Sequence, residues 1–288
     1  MPIIPGWLPP SQANYNTICT AFAYISPLSF IQFITPWYPM GKTSVSSSLN
    51  IPGAIGWFTM EIPGLLSLLY TSHTLSGGLS TLPLQNKLMV GMFATHYIHR
   101  AILAPLFLNP SMSPIHAFVW ICAAAFQVLN GVSLGAWIGA YGRTSADAWE
   151  GMGAQCVVGG ALWALGLAGN WWHDEELRKI RRDEVTRRAK EAEGKSVEEK
   201  EELKSAKVYV MPERGLFRWV LYPHYFTEWV EWAGFWIFAG AGCLPAQTFF
   251  INEIVTMLPR AWNGWNWYVE RFGREKVGSR KAVIPFVV

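Results

Sequence analysis

The sequence predicts an all-α protein, a polytopic membrane helical bundle of about seven transmembrane helices. Three observations predict it. Apolar runs of the length needed to cross a hydrocarbon core, about 20 residues, recur at 17–36, 52–71, 87–108, 115–140, 152–172, 226–244 and 245–262. Linkers rich in Pro, Gly, Ser and Asn separate them, as in GKTSVSSSLN at 41–50, SHTLSGGLSTLP at 72–83 and LNPSMSP at 108–114. Charge is also segregated: Asp174 to Lys207 carries 11 basic and 11 acidic side chains, whereas residues 1–173 hold seven charges in all.

The elements follow in order. The first run begins after MPIIPGWLPPSQ, which lacks a basic start and a cleavage site, so no signal peptide is expected. The second, GWFTMEIPGLLSLLY at 56–70, holds one acid, Glu61; the third ends in THYIHRAILAPLF at 95–107. The fourth is apolar through NG at 130–131, and the fifth runs into the charged segment. The last two are split near Leu244-Pro245. No repeat is visible, so the expected organisation is one domain over 1–288 with a charged insertion at about 182–207. Its i,i+4 charge pairs suit a solvated helix.

An odd number of spans puts the termini on opposite sides. Lys42, the charged insertion and RFGREKVGSRK at 271–281 then share one side, and Lys87 and Arg143 mark the other. The Lys/Arg bias places the C-terminus and the charged loop in the cytosol. The insertion is internally balanced and no basic patch is interleaved with aromatics, which argues against nucleic acid. The four cysteines are widely spaced in apolar runs, with no CxxC or HExxH, so neither disulfides nor a metal are expected.

Polar residues inside the apolar runs are the candidate functional groups, because each is costly in lipid. Glu61 stands alone in its span. Tyr97 and Arg100, three apart, share one side of the next span, as do His96 and Arg100. A short linker makes these two helices antiparallel neighbours, so Glu61 has partners within reach. A buried ion pair that only pins two helices is an equal reading of this group by itself. At 161–182, an apolar span ends in Asn170, His173 and Asp174, followed by Arg178, Arg181 and Arg182. Guanidinium forks bind phosphate, and amide and carboxylate groups can hold ribose or base. Ordinary basic flanking of a span is the alternative. At 215–240, His224, Glu228 and Glu231 precede an apolar stretch; helix capping explains one acid but not all three groups, although a structural role is the slightly favoured reading of this group by itself. No GxGxxG, GxxxxGK[ST] or GxSxG motif is present, so a nucleotide site would have to be built from helix ends and loops.

Taken together, GKTS at 41–44, GWFTMEIPGLL at 56–66, HYIHR at 96–100, NG at 130–131 and GNWWHDEELRKIR at 169–181 form an ordered pattern. It continues through Tyr209, PERGLF at 212–217, VLYPHYFTEWVEWAG at 220–234 and GSRKAVIPF at 278–286. In these motifs, from about Gly41 to Val288, the chain resembles the steroid 5α-reductases, NADPH-dependent seven-helix enzymes of the endoplasmic reticulum membrane. The resemblance implies reduction of the Δ4 double bond of 3-oxo steroids. It implies Glu61 and Tyr97 as the pair on the substrate carbonyl, and Trp57 as a residue lining the steroid cavity. It assigns Asn170, Asp174, Arg181, Tyr209, His224, Glu228, Arg260, Tyr268 and Arg280 to the cofactor. Arg100, whose charge would oppose a proton-donating Glu61, is expected to turn toward the cofactor side or another acid. Expected partners are a steroid or sterol-like lipid and the membrane lipids. Reduction of another lipid enone or enoyl thioester, and a catalytically inactive binding protein of the same fold, are the competing readings. One departure supports the inactive reading: Gly264, in RAWNGWNWY, stands where the family usually has a histidine.

Overall fold

The computed structural model describes residues 2–29, 31–35, 37, 39–41, 44–109, 112–193, 196 and 209–288. Lys42, Thr43 and half of the expected charged insertion (194, 195 and 197–207) lie outside them. The described chain is mostly helical. Its principal elements are α1 (Gln12–Ala23), α2 (Ile25–Ser29), α3 (Ile31–Ile34), α4 (Gly53–Ser76), α5 (Leu84–Tyr97) and α6 (Ala117–Ala136). They continue with α7 (Gly153–Glu191), α8 (Pro223–Ala239) and α9 (Leu244–Phe272). The only paired strands among the described residues are β1 (Asn50–Ile51) and β2 (Ile115–His116), antiparallel with Asn50 opposite His116.

Local chemistry sets the helix ends. Ser11 precedes α1 and its hydroxyl accepts from the Asn14 N–H at 3.3 Å, as a capping serine does. The His116 ring accepts from the Phe118 N–H at the start of α6. α4 stops at Gly77, whose φ of 72° gives the left-handed turn that closes a helix. α5 passes at Tyr97 into π-helical turns over Ile98–Leu108, which contain Pro105. Proline has no N–H for the α-helical ladder, and such wide turns often mark functional sites.

Two compact units are present, residues 1–164 with 229–259 and residues 165–228 with 260–288. In the first, α4 and α6 pack at close range. A Cβ on Gly131 would lie 2.3 Å from the Gly64 carbonyl oxygen, one on Gly135 2.7 Å from that of Leu68, and one on Gly139 2.8 Å from that of Ser72. Small residues four apart therefore let two backbones touch, the packing typical of helices in lipid. α5 is tied in by Asn86, which donates to the Ile138 carbonyl and accepts from the Trp149 indole, both at 2.8 Å. Phe22, Leu68, Met89, Phe93, Tyr97, Leu134, Ile138, Trp232 and Phe235 form the core.

The second unit is built on the latter half of α7. The tail is pinned to the chain ahead of α8: Leu221 and Tyr222 donate to the Lys281 and Ala282 carbonyls, and Lys281 donates back to Trp219. Beyond it, α7 is laced by charge. Arg178 and Arg182 both reach Glu175, and the Arg187 and Arg188 guanidiniums beside Glu184 hold its carboxyl down at about 2. Such exposed pairs are worth a few tenths of a kcal/mol each. They suffice to continue a helix whose composition already favours it.

Among the described residues, two helical stretches, Gln12–Ile34 and Ala117–Tyr141, are long and apolar enough to cross a membrane by length and composition. Elsewhere, helices turn large apolar side chains outward: Ile55 and Leu66 on α4, Val157 and Leu165 on α7, Phe107 after α5.

Candidate active site

Glu61 sits in the middle of α4 with its side chain buried. Its carboxyl oxygen Oε2 accepts from the Gln127 side-chain amide of α6. Tyr97, 1% exposed, ends α5 with its ring against Phe93, at 4.4 Å between centroids, and near His96 and Trp232. The Asn130 amide, one turn after Gln127 on α6, reaches the Tyr97 hydroxyl at 3.4 Å, the long end of hydrogen-bond range. The α4–α6 glycine contact begins at Gly131, so both amides lie where the two helices come closest.

Beside this group, the Arg100 guanidinium lies over the Trp57 indole at 4.8 Å, and the Trp57 N–H donates to the Arg100 carbonyl at 3.2 Å. His96 Nδ1 and Glu231 Oε1 are 2.8 Å apart, both buried, and the Arg100 charge acts on Glu231. The first unit thus joins a carboxyl, a phenol, two amides and a His–Glu pair within an aromatic core.

The second unit holds the nine residues expected on a cofactor from Asn170 onward. Three are brought together directly: the Asn170 amide donates to the His224 carbonyl at 3.0 Å and to Glu228 Oε2 at 3.2 Å. Arg260 stands over the Tyr225 ring, next to His224 in the chain. Tyr209 and Tyr268 both pack on Trp267. Arg280 donates to the Pro212 and Lys276 carbonyls, which anchors the tail to the loop before Gly215. Arg181 is exposed, two turns along α7 from Asp174 and on the same side of the helix. Its neighbour Arg178 is instead buried against Glu175.

Three features were not read from the sequence. Gln127 was the first, an amide in AAAFQVLNG three residues before Asn130. The partnership of His96 with Glu231 was the second. The third is Tyr222, which explains Gly264: a Cβ there would fall 1.7 Å from the Tyr222 hydroxyl. The phenol, not a side chain at 264, fills that space, and burial and the neighbouring Tyr268 push its pKa well up, so it stays a neutral donor.

His173 fixes the loop that follows the charged segment. Its Nδ1 lies 2.6 Å from the Gly169 carbonyl, and its Nε2 accepts from the Leu216 N–H at 3.2 Å. That pattern needs the neutral ring with hydrogen on Nδ1. Burial lowers the His173 pKa below 6.5. The unfolded chain therefore takes up this proton first as pH falls, so the contribution is complete above about 6.5 and is lost below it. Thermal melting of the detergent-solubilised protein between pH 7.5 and about 5.5 is expected to show a falling midpoint, with a smaller fall in His173→Gln.

Residues 113–288 match the family described as 3-oxo-5-alpha-steroid 4-dehydrogenase. The chain belongs to that family. Members are oxidoreductases of steroids. The chain is 33% identical over 266 residues to an uncharacterized protein of Schizosaccharomyces pombe, which covers 87% of this chain and 91% of the relative. It is 31% identical over 274 residues to the steroid 5-alpha-reductase DET2 of Arabidopsis thaliana, covering 90% and 89%. To 3-oxo-5-alpha-steroid 4-dehydrogenase 1 of Mus musculus it is 27% identical over 244 residues, covering 84% of each. The family match includes Asn130, Gly264 and every second-unit candidate, while Glu61 and Tyr97 lie before it.

Proposed function

We propose that the protein is an NADPH-dependent reductase of the Δ4 double bond of 3-oxo steroids, acting as a seven-span protein of the endoplasmic reticulum membrane with its C-terminus and charged loop in the cytosol. One observation carries the reading: a carboxyl and a phenol, buried in an apolar core, are each fastened by an amide of the same helix. The outward apolar faces of α4 and α7 favour lipid surroundings, from which a steroid can enter without crossing water.

The donor set of the second unit fits a nicotinamide dinucleotide. Arg181, Arg260 and Arg280 supply charge for phosphates. Asn170, Asp174 and Glu228 supply the amide and carboxylates suited to ribose and carboxamide, and Tyr209, His224 and Tyr268 supply ring faces. NADPH, when bound, supplies a hydride for the carbon β to the ketone. Tyr97 donates its hydroxyl hydrogen to the ketone oxygen, where negative charge develops as the double bond takes up electrons. Glu61 in its acid form donates to the same oxygen. Trp57 and Arg100 hold one wall of the cavity. The α-carbon then takes a proton that comes ultimately from water, which balances the reduction.

The cofactor half is tested by Arg181→Ala. Loss of a charge-assisted hydrogen bond is expected to weaken NADPH binding by about 1.5–3 kcal/mol, with little change in kcat at saturating NADPH. Titration by quenching of tryptophan fluorescence reads it, and an unchanged affinity would remove Arg181 from the site.

A further inference from the structure

We propose that Gln127 and Asn130, one turn apart on α6, are positioning residues that aim Glu61 and Tyr97 at one carbonyl oxygen. The inference rests on the carbonyl-binding role given to that pair. Within α6, polar side chains are confined to Gln127, Asn130 and Ser133 in an otherwise apolar run, AFVWICAAAFQVLNGVSLGA. An amide in such a helix is expensive unless it has a task.

Packing is not that task. α4 is already brought into contact with α6 by Gly131 and Gly135 and with the turns just after α6 by Gly139, whose lack of side chains lets the backbones meet. What the amides add is direction. Gln127 Nε2 donates to Glu61, and Asn130 Nδ2 donates to the Tyr97 oxygen, so the phenol's own hydrogen is directed away from Asn130. Because both donors come from consecutive turns of one helix, the acid and the phenol are fixed relative to each other although they stand on α4 and α5.

A side-chain amide also suits an acid that must hold a proton. With its N–H toward Glu61 it supports the carboxylate; turned by half a rotation it offers Oε1 to the carboxylic acid. Gln127 Oε1 and Asn130 Oδ1 are buried with no hydrogen-bond partner among the described residues. Buried amide oxygens are costly to leave so. Such a turn gives Gln127 Oε1 the Glu61 proton, and Asn130 Oδ1 has capacity for a donor brought in with the ligand.

The test uses the full-length protein in detergent, with NADPH and progesterone as the probe enone. Gln127→Met keeps the chain length and removes both hydrogen-bonding ends; Asn130→Leu does the same for the second amide. Each is expected to lower kcat by about 10-fold or more, with KM for NADPH within about twofold. A separate readout needs no turnover. The infrared carboxyl band lost in Glu61→Gln is expected to shift in frequency in Gln127→Met. Gln127→Ala, which only removes atoms, gives the same readouts if the Met variant does not fold. A kcat near wild type, or an unmoved band beside an active wild type, would overturn the inference alone. A wild type inert toward every enone would overturn the functional reading and the inference with it.

Discussion

Tyr97→Phe is expected to abolish most enone reduction, lowering kcat by about 10²–10⁴, while NADPH binding stays near wild type. The phenol is 1% exposed and packed between Phe93, His96 and Trp232. Removing one oxygen therefore leaves the ring in place and deletes only the donor. Glu61→Gln keeps the shape and a donor but loses the acidic proton, so its loss should fall toward the lower end of that range. The double variant should be little worse than Tyr97→Phe, because in the proposed mechanism both groups serve one oxygen and such effects do not add. Steady-state kinetics with separate NADPH titration read all three. Weakened NADPH binding with unchanged kcat would move the pair out of carbonyl chemistry.

The second large effect is on packing. Gly131→Ala places a methyl group 2.3 Å from the Gly64 carbonyl oxygen and 2.1 Å from the Ser67 hydroxyl. The serine can turn away, but the carbonyl belongs to the α4 backbone and cannot move by itself. Overpacking of this kind costs about 1–3 kcal/mol. It also forces α6 away from α4 one residue past Asn130, so activity should fall further than stability alone explains. Gly91→Ala is the control: a Cβ there meets nothing within 4 Å. On an exposed helix that change is expected to be neutral or to stabilise by about 1 kcal/mol. Thermal midpoints and specific activities of the two variants, side by side, make the comparison.

Much of this arrangement was legible in the chain because lipid makes polar residues conspicuous. Glu61, Tyr97 and Arg100 stood out for that reason, whereas Asn170 fell in a different region from His224 and Glu228 and only the family resemblance put them on one cofactor. The helical class followed from long apolar runs, although the sequence divides them differently from the helices. The run at 17–36 is broken into α1, α2 and α3, and the fifth continues without interruption into the charged segment as α7.

What stayed hidden were side-chain partners from distant segments. Glu61 was read against α5, where linker length puts a neighbour, whereas its amide partner comes from α6, 66 residues away. The glycines at 131, 135 and 139 carry the signal that would have found it, since a four-residue repeat of small residues marks a close helix contact. Gln127 itself could have been found by the rule that singled out Glu61. Tyr222 could not, because nothing in VLYPHYF says that its hydroxyl fills the space over Gly264.

In the proposed reaction a hydride moves from a nicotinamide to an enone held by Glu61 and Tyr97. Incubation with NADPH deuterated at the nicotinamide C4 and a 3-oxo-Δ4 steroid, followed by mass spectrometry, tests it most directly. A saturated 5α-3-oxo product carrying one deuterium, formed by the wild type and lost in Tyr97→Phe, is the result expected. A saturated product without the label, no product at all, or equal labelling by Tyr97→Phe would contradict it.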